Sequence, residues 1–174
     1  MKTYDFKDGN GPVAAHKHPN GGGWVADSAF VEPTAYVGPN ALVYGSAEVF
    51  GDALVSGSAR VFENAWMSGN ARVSGSARVF GDAEVSGSAW VSGSALVSGS
   101  ARVFENARVF ENALVSGSAR VFENAWMSGN ARVSGNAAVF GSAWVFENAR
   151  VFGSVRVSGD AEVSGSARVF GETH

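Results

Sequence analysis

From Val25 to Val169 every sixth residue is valine, with Met67 and Met127 standing in, and no insertion breaks the count. Alanine sits four residues after each of these positions, from Ala29 to Ala167, with Val155 the one exception. The 25 units so defined read as small residue, outward residue, Val, Ser or Phe, Gly or Glu, then Ser, Asn or Asp. An α-helix cannot use this pattern, because a Gly-rich turn in every unit breaks the 3.6-residue rhythm. In a strand, side chains alternate faces, so each Ala and the Val two residues on point the same way, inward, while the residues between and after them point outward. Gly, Asn, Asp and Ser then make the corner, since they tolerate tight or left-handed backbone. A strand of about three residues cannot bury its face alone, so the units must stack into a solenoid.

The outward residues set the number of units per coil. If three units close an 18-residue triangular coil, residues 18 apart lie above one another. Tyr44, Phe62 and Phe80 then form a column, as do Phe104, Phe122 and Phe140, and Phe152 with Phe170. Arg132, Arg150 and Arg168 form another, Leu96 lies over Leu114, and Trp126 lies over Trp144. Like-on-like files are what a parallel stack favours. The expected fold is therefore all-β, a single-domain parallel β-helix of about eight coils, roughly 40 Å long at a strand spacing of ~4.8 Å. Its interior is thin, built of Val and Ala. At Val155 the usual alanine slot takes two extra methyl groups, which predicts overpacking of about 1 kcal/mol unless a neighbour gives way. The segment Val55–Gly75 recurs letter for letter at Val115–Gly135, ten units later, so the two copies fall on different sides of the triangle.

Residues 1–24 do not obey the rule and hold all three lysines. A solenoid's first coil has open strand edges, so this segment is expected to cap residues 25–174. His16 and His18, two apart, would face one side of a strand and are the candidate metal ligands. With no cysteine or third histidine beside them to complete a site, they are expected to be solvated turn residues and no metal is implied.

An unbroken Val-x-Gly-x-Ala-x hexad preceded by GGGWV resembles the bacterial and phage hexapeptide-repeat proteins, most of all those with ARVSGNARVFG-like runs. The resemblance covers Gly21 to Gly171 and implies a left-handed β-helix with three hexads per coil. That hand comes from the resemblance alone, since crossover sterics otherwise favour right-handed connections. The superfamily's acyltransferases use a histidine on or near a coil and an inserted loop for the acyl donor. Its carbonic-anhydrase branch holds a metal on three histidines. Here no histidine lies between His18 and His174, and no loop interrupts the hexads. Repeats this close to their own consensus are also what an engineered or recently expanded array looks like.

The net charge of −3 offers no basic field for nucleic acid. No apolar run is long enough to span a membrane, and the N-terminus lacks a signal peptide's apolar core, so a cytoplasmic location is the default. No cofactor is implied. Arg-Val-Phe occurs seven times, which places an arginine beside a ring on the outer surface and predicts that each guanidinium shields its phenyl. The glutamates of the five Phe-Glu-Asn corners, Glu63, Glu105, Glu111, Glu123 and Glu147, are expected to be solvated and to partner arginines rather than to do acid–base work. So many outward rings on a slim rod predict self-association or a protein partner. Trp126, Trp144 and Phe146 are the most apolar local group, with Phe104, Phe122 and Phe140 as a second contact file. Val169 and Phe170, on a last coil that nothing covers, predict end-to-end contact. The expected function is that of a non-enzymatic, self-associating structural or interaction protein. The alternatives are an acyltransferase-like enzyme and a carbohydrate-binding rod.

Overall fold

In a computed structural model of the chain, residues 2–171 are described. Thr173, which continues the alanine series, and His174 lie outside them. The described residues form 27 short strands and no helix. After β1 (Thr3–Asp5) and β2 (Pro12–Lys17), every hexad from β3 (Trp24–Ala26), β4 (Phe30–Val31) and β5 (Tyr36–Val37) onward contributes one strand. The last coil is made by β25 (Arg156–Val157), β26 (Glu162–Val163) and β27 (Arg168–Gly171).

Strands three apart pair in parallel, which gives three sheets of eleven, eight and eight strands. We call these face I, from β3 to β27, face II, from β4 to β25, and face III, from β5 to β26. Partners are 18 residues apart throughout, as in Leu96↔Leu114, Arg102↔Arg120 and Trp126↔Trp144. One lap is thus three hexads, and the chain is a parallel β-solenoid of about eight turns.

The alternation places the interior as the hexad dictates. Ala35 to Ala149 and Val37 to Val151 in their slots are wholly buried, and so are Met67 and Met127. Backbone ladders join the coils: Leu96 donates its N–H to the Ala113 carbonyl at 2.9 Å and Ser98 to Val115 at 3.0 Å. Corners stack as closely as strands. At Gly57, with φ of 64°, a β-carbon would stand 2.7 Å from the Gly75 carbonyl oxygen, so the turn both needs a left-handed residue and leaves little room for a side chain. Val155 is half-buried and packs against the interior cluster; Thr173, 18 residues on in the same slot, lies outside the described residues.

The first segment folds back onto the solenoid. β1 and β2 form an antiparallel hairpin, and β2 runs antiparallel along β3, with His16 opposite Val25. Phe6 is 1% exposed and stacks on Tyr44 with ring centres 4.8 Å apart. Room for it exists because the outward slot above Tyr44 holds Ala26 instead of a ring, and Ala26 is buried beside Phe6 in the same cluster. Asn20 covers a second edge: its side-chain amide donates to the Thr34 and Ala35 carbonyls, at 3.2 and 3.1 Å, and its own carbonyl accepts from Val37.

Candidate functional site

The outer surface carries all the chemistry this fold can present, and its unit is the column of residues 18 apart. Rings in consecutive coils stack. Tyr44, Phe62 and Phe80 have centres 4.9 Å apart and planes within 6°. Phe104, Phe122 and Phe140 repeat this at 4.8 and 4.9 Å, and Phe152 stacks on Phe170 at 5.3 Å. The ring spacing is the strand spacing, so the backbone sets it. A column of this kind spends its ring faces on itself and shows water mainly edges. Tyr44 and Phe62 are buried, and Phe104, Phe122 and Phe140 are half-buried.

Self-covering rings change the part the arginines play. Among the described residues, one of the seven Arg-Val-Phe pairs has its guanidinium over its own ring: Arg78, 5.3 Å from Phe80 and 5.2 Å from Phe62 in the coil above. Arg108 instead lies over Trp126 in the next coil, at 5.8 Å. Arg102 pairs with Glu84 at 3.0 Å. Shielding of each phenyl by the arginine two residues before it is thus not the general rule; a ring one coil away serves instead.

The Phe-Glu-Asn corners also depart from expectation. Among the described residues Glu63, Glu105, Glu111, Glu123 and Glu147 make no salt bridge with arginine; all five hold the left-handed backbone otherwise given to glycine, with φ between 59° and 61°. Three of them reach to the coil below, where a glycine N–H donates to the carboxylate: Gly81 to Glu63 at 2.8 Å, Gly129 to Glu111 at 2.5 Å and Gly165 to Glu147 at 2.6 Å. Asparagines in the following position form ladders, Asn112 to Asn130 at 3.3 Å and Asn130 to Asn148 at 3.1 Å. These corners are structural fasteners. The hexad held the signal, since Glu alternates with Gly in a single slot.

Trp126, Trp144 and Phe146 do come together on face III. Trp126 meets Trp144 edge-to-face at 5.2 Å and Trp144 meets Phe146 at 6.3 Å, around a hollow of about 130 Å³ floored by Ser128. The Trp126 indole Nε1 is buried without a hydrogen-bond partner. Trp90 shows why. Its Nε1 donates to Ser74 Oγ, 16 residues earlier, at 3.2 Å; the same place before Trp126 holds Phe110, whose ring packs at 88° and 5.8 Å. A phenylalanine in that place offers the indole no oxygen acceptor.

The two histidines do not form a joint site. His16 is exposed, with Nδ1 2.8 Å from Asp27 Oδ1. His18, past the end of β2, is 3% exposed and its Nδ1 lies 3.1 Å from the Asn20 carbonyl. It is a buried residue that braces the cap, not a solvated one. No group of three or more His, Asp or Glu placed to hold a metal occurs among the described residues.

The last coil exposes what earlier coils bury. Val169 is half-buried, Ala161 and Ala167 are exposed, and Phe170, at 62%, is the most exposed large apolar residue of those described.

A family model described as YdcK beta solenoid repeat matches residues 65–79 and 131–147. No curated protein matches the chain. Together with the three parallel faces, the repeat match makes this chain a β-solenoid repeat protein.

Proposed function

We propose that the chain is a non-enzymatic structural rod that joins a second copy through its last coil. The observation that carries this reading is the difference between the two ends. At the first, the β1–β2 hairpin lies along β3, and Asn20 satisfies carbonyls above face III. At the other, the N–H groups of Ser158, Glu162, Ser164 and Arg168, whose counterparts in earlier coils donate to the coil below, find no such acceptor among the described residues. Open strand edges and exposed core slots invite pairing. Two identical open ends can meet about a two-fold axis, whereas the hairpin obstructs head-to-tail stacking, so the geometry favours a closed dimer over a filament.

The ring columns support the flank less well as a contact. Their faces are turned to each other, which also removes the stacking platform that a carbohydrate would use. Against catalysis stand the engaged carboxylates of the corners and the lack of any histidine between His18 and His174. Kinship with the hexapeptide-repeat superfamily belongs to the same reading and rests on the likeness of the hexads, and left-handed winding is what that resemblance implies. Sedimentation equilibrium tests it. A dimer of the 18.0 kDa chain is expected, reduced to monomer by Val169→Asp with Phe170→Asp and unchanged by Trp126→Ser with Trp144→Ser. A wild-type monomer at every concentration, or the opposite response of the two variants, refutes it.

A further inference from the structure

Arg132, Arg150 and Arg168 occupy consecutive strands of face I with their Cα atoms in register. They line one hollow of about 300 Å³ with Ser134 and Phe152. Some arginines elsewhere have a partner, Glu84 for Arg102, two rings for Arg78, an indole for Arg108; Arg72, Arg120 and Arg156 also lack one among the described residues but do not stack on one another. These three have neither a carboxylate within salt-bridge distance nor a ring beneath the guanidinium, among the described residues. The acid of the adjoining corner, Glu147, accepts from the Gly165 N–H instead. The corners that follow the upper two strands, Gly135-Asn136 and Gly153-Ser154, carry no acid. Like charges directly opposite in a ladder repel, at a strand spacing of ~4.8 Å, and no carboxylate or ring among the described residues offsets it.

We propose that this ladder binds a polyvalent oxyanion, a ligand carrying at least two phosphate or sulfate groups. Each guanidinium offers a planar fork that grips two oxygens of such a group side by side. Ser134, two residues after Arg132 and lining the same hollow, adds a hydroxyl donor. A single tetrahedral anion can bridge two neighbouring forks, and each further anionic group recruits the next arginine along the column. Because the whole chain is acidic, with a net charge of −3, the attraction is local to this column. That favours a short anion seated along three strands over a long polymer that needs a broad basic surface.

The test is isothermal titration of the intact chain with tripolyphosphate, pyrophosphate, phosphate and a sulfated tetrasaccharide, at about 50 and about 200 mM salt. Affinity should climb from phosphate through pyrophosphate to tripolyphosphate and fall at the higher salt. Tighter binding of tripolyphosphate or of the sulfated sugar identifies which source of oxyanion the site prefers. Arg150→Gln, which removes the central fork, should weaken the tightest probe by about tenfold or more. Arg150→Lys, which keeps the charge and loses the fork, should fall between. Arg72→Gln on face III should change nothing. Without ligand, Arg150→Gln should melt no lower than the parent chain, because the Arg150 side chain is exposed and the repulsion is relieved. No binding of any probe at low salt, phosphate as tight as tripolyphosphate, or equal losses from Arg150→Gln and Arg72→Gln would each overturn the proposal. Arg168 shares β27 with the proposed dimer contact, so the variants are made at Arg150, one coil above it, and sedimentation reads the dimer separately.

Discussion

Replacing a glutamate by glycine at a corner should have unequal consequences at two positions with the same local sequence. Glu105 and Glu111 both sit in Phe-Glu-Asn and both hold φ near 60°, at 60° and 59°. A left-handed conformation costs a residue with a β-carbon about 1–2 kcal/mol, and glycine gives back about 0.4–1 kcal/mol of that through the freedom it adds to the unfolded chain. Glu105→Gly should therefore stabilise by about 1 kcal/mol, because the Glu105 carboxylate has no hydrogen-bond partner among the described residues and Glu123 lies beneath it. Glu111 differs in one respect: its carboxylate accepts from the Gly129 N–H at 2.5 Å. A charged acceptor on an exposed amide contributes about 1 kcal/mol, so Glu111→Gly should come out near neutral. For a chain of this length the gap between the variants corresponds to about 2–4 °C in the thermal midpoint. Calorimetry on the two single variants and the parent measures it. If Glu105→Gly melts below the parent, or if both variants shift alike, then the carboxylate-to-amide contacts do not fasten the coils and the reasoning fails.

Phe6→Ala should remove about 3–5 kcal/mol from the cap, since Phe6 is 1% exposed between Tyr4 and Tyr44. Hydrogen exchange should then show early loss of protection in β1, β2 and β3 while the later coils keep theirs; uniform loss along the rod would contradict a locally acting cap. Burial raises the Tyr44 phenol above its ordinary value of 10.0, with Arg60 and Arg78 pulling it partly back. A phenol raised in the folded state keeps its proton where the unfolded chain has lost it, so this contribution is whole below about pH 10 and drains away as pH climbs through the folded value. Absorbance titration should show a late component that Tyr44→Phe removes, and the same variant should lessen the fall in thermal midpoint above pH 10; an unchanged fall would count against it.

The inward half of this structure was legible because its physics is local. A Val or Ala in its slot is buried whatever stands beside it, and the hexad fixes the slot. The outward half is not local. Phe62 and Phe170 share the sequence Arg-Val-Phe, yet one is 8% and the other 62% exposed, because Phe62 lies between two rings and Phe170 has one above it and no described coil below. The hexad alone could not say which arginine covers which ring, since a guanidinium chooses among partners two residues away and 18 away. The cap was harder still: its hairpin has no repeat to read. The clue was Ala26, a small residue at the head of a column of rings, which leaves a vacancy of the size that Phe6 fills.

The duplicated segment makes the same point as a natural control. Val55–Gly75 and Val115–Gly135 are identical, and what depends on the chain itself is identical too: both methionines are fully buried, and Glu63 and Glu123 hold φ of 61° and 59°. Yet Trp66 falls on face II between Glu48 and Glu84 and is 41% exposed. Trp126 falls on face III between Arg108 and Trp144, and its indole nitrogen is buried. One letter string thus yields a solvated indole in one place and a wall of an apolar hollow in another. Any binding property of this rod is therefore a property of columns, and the consequence of a surface substitution must be read from the residues 18 positions to either side before those adjacent in sequence. Arg150 shows the force of this: its neighbours in the chain are Ala149 and Val151, both buried and silent, while its neighbours in the column are the two other arginines that make it part of a site.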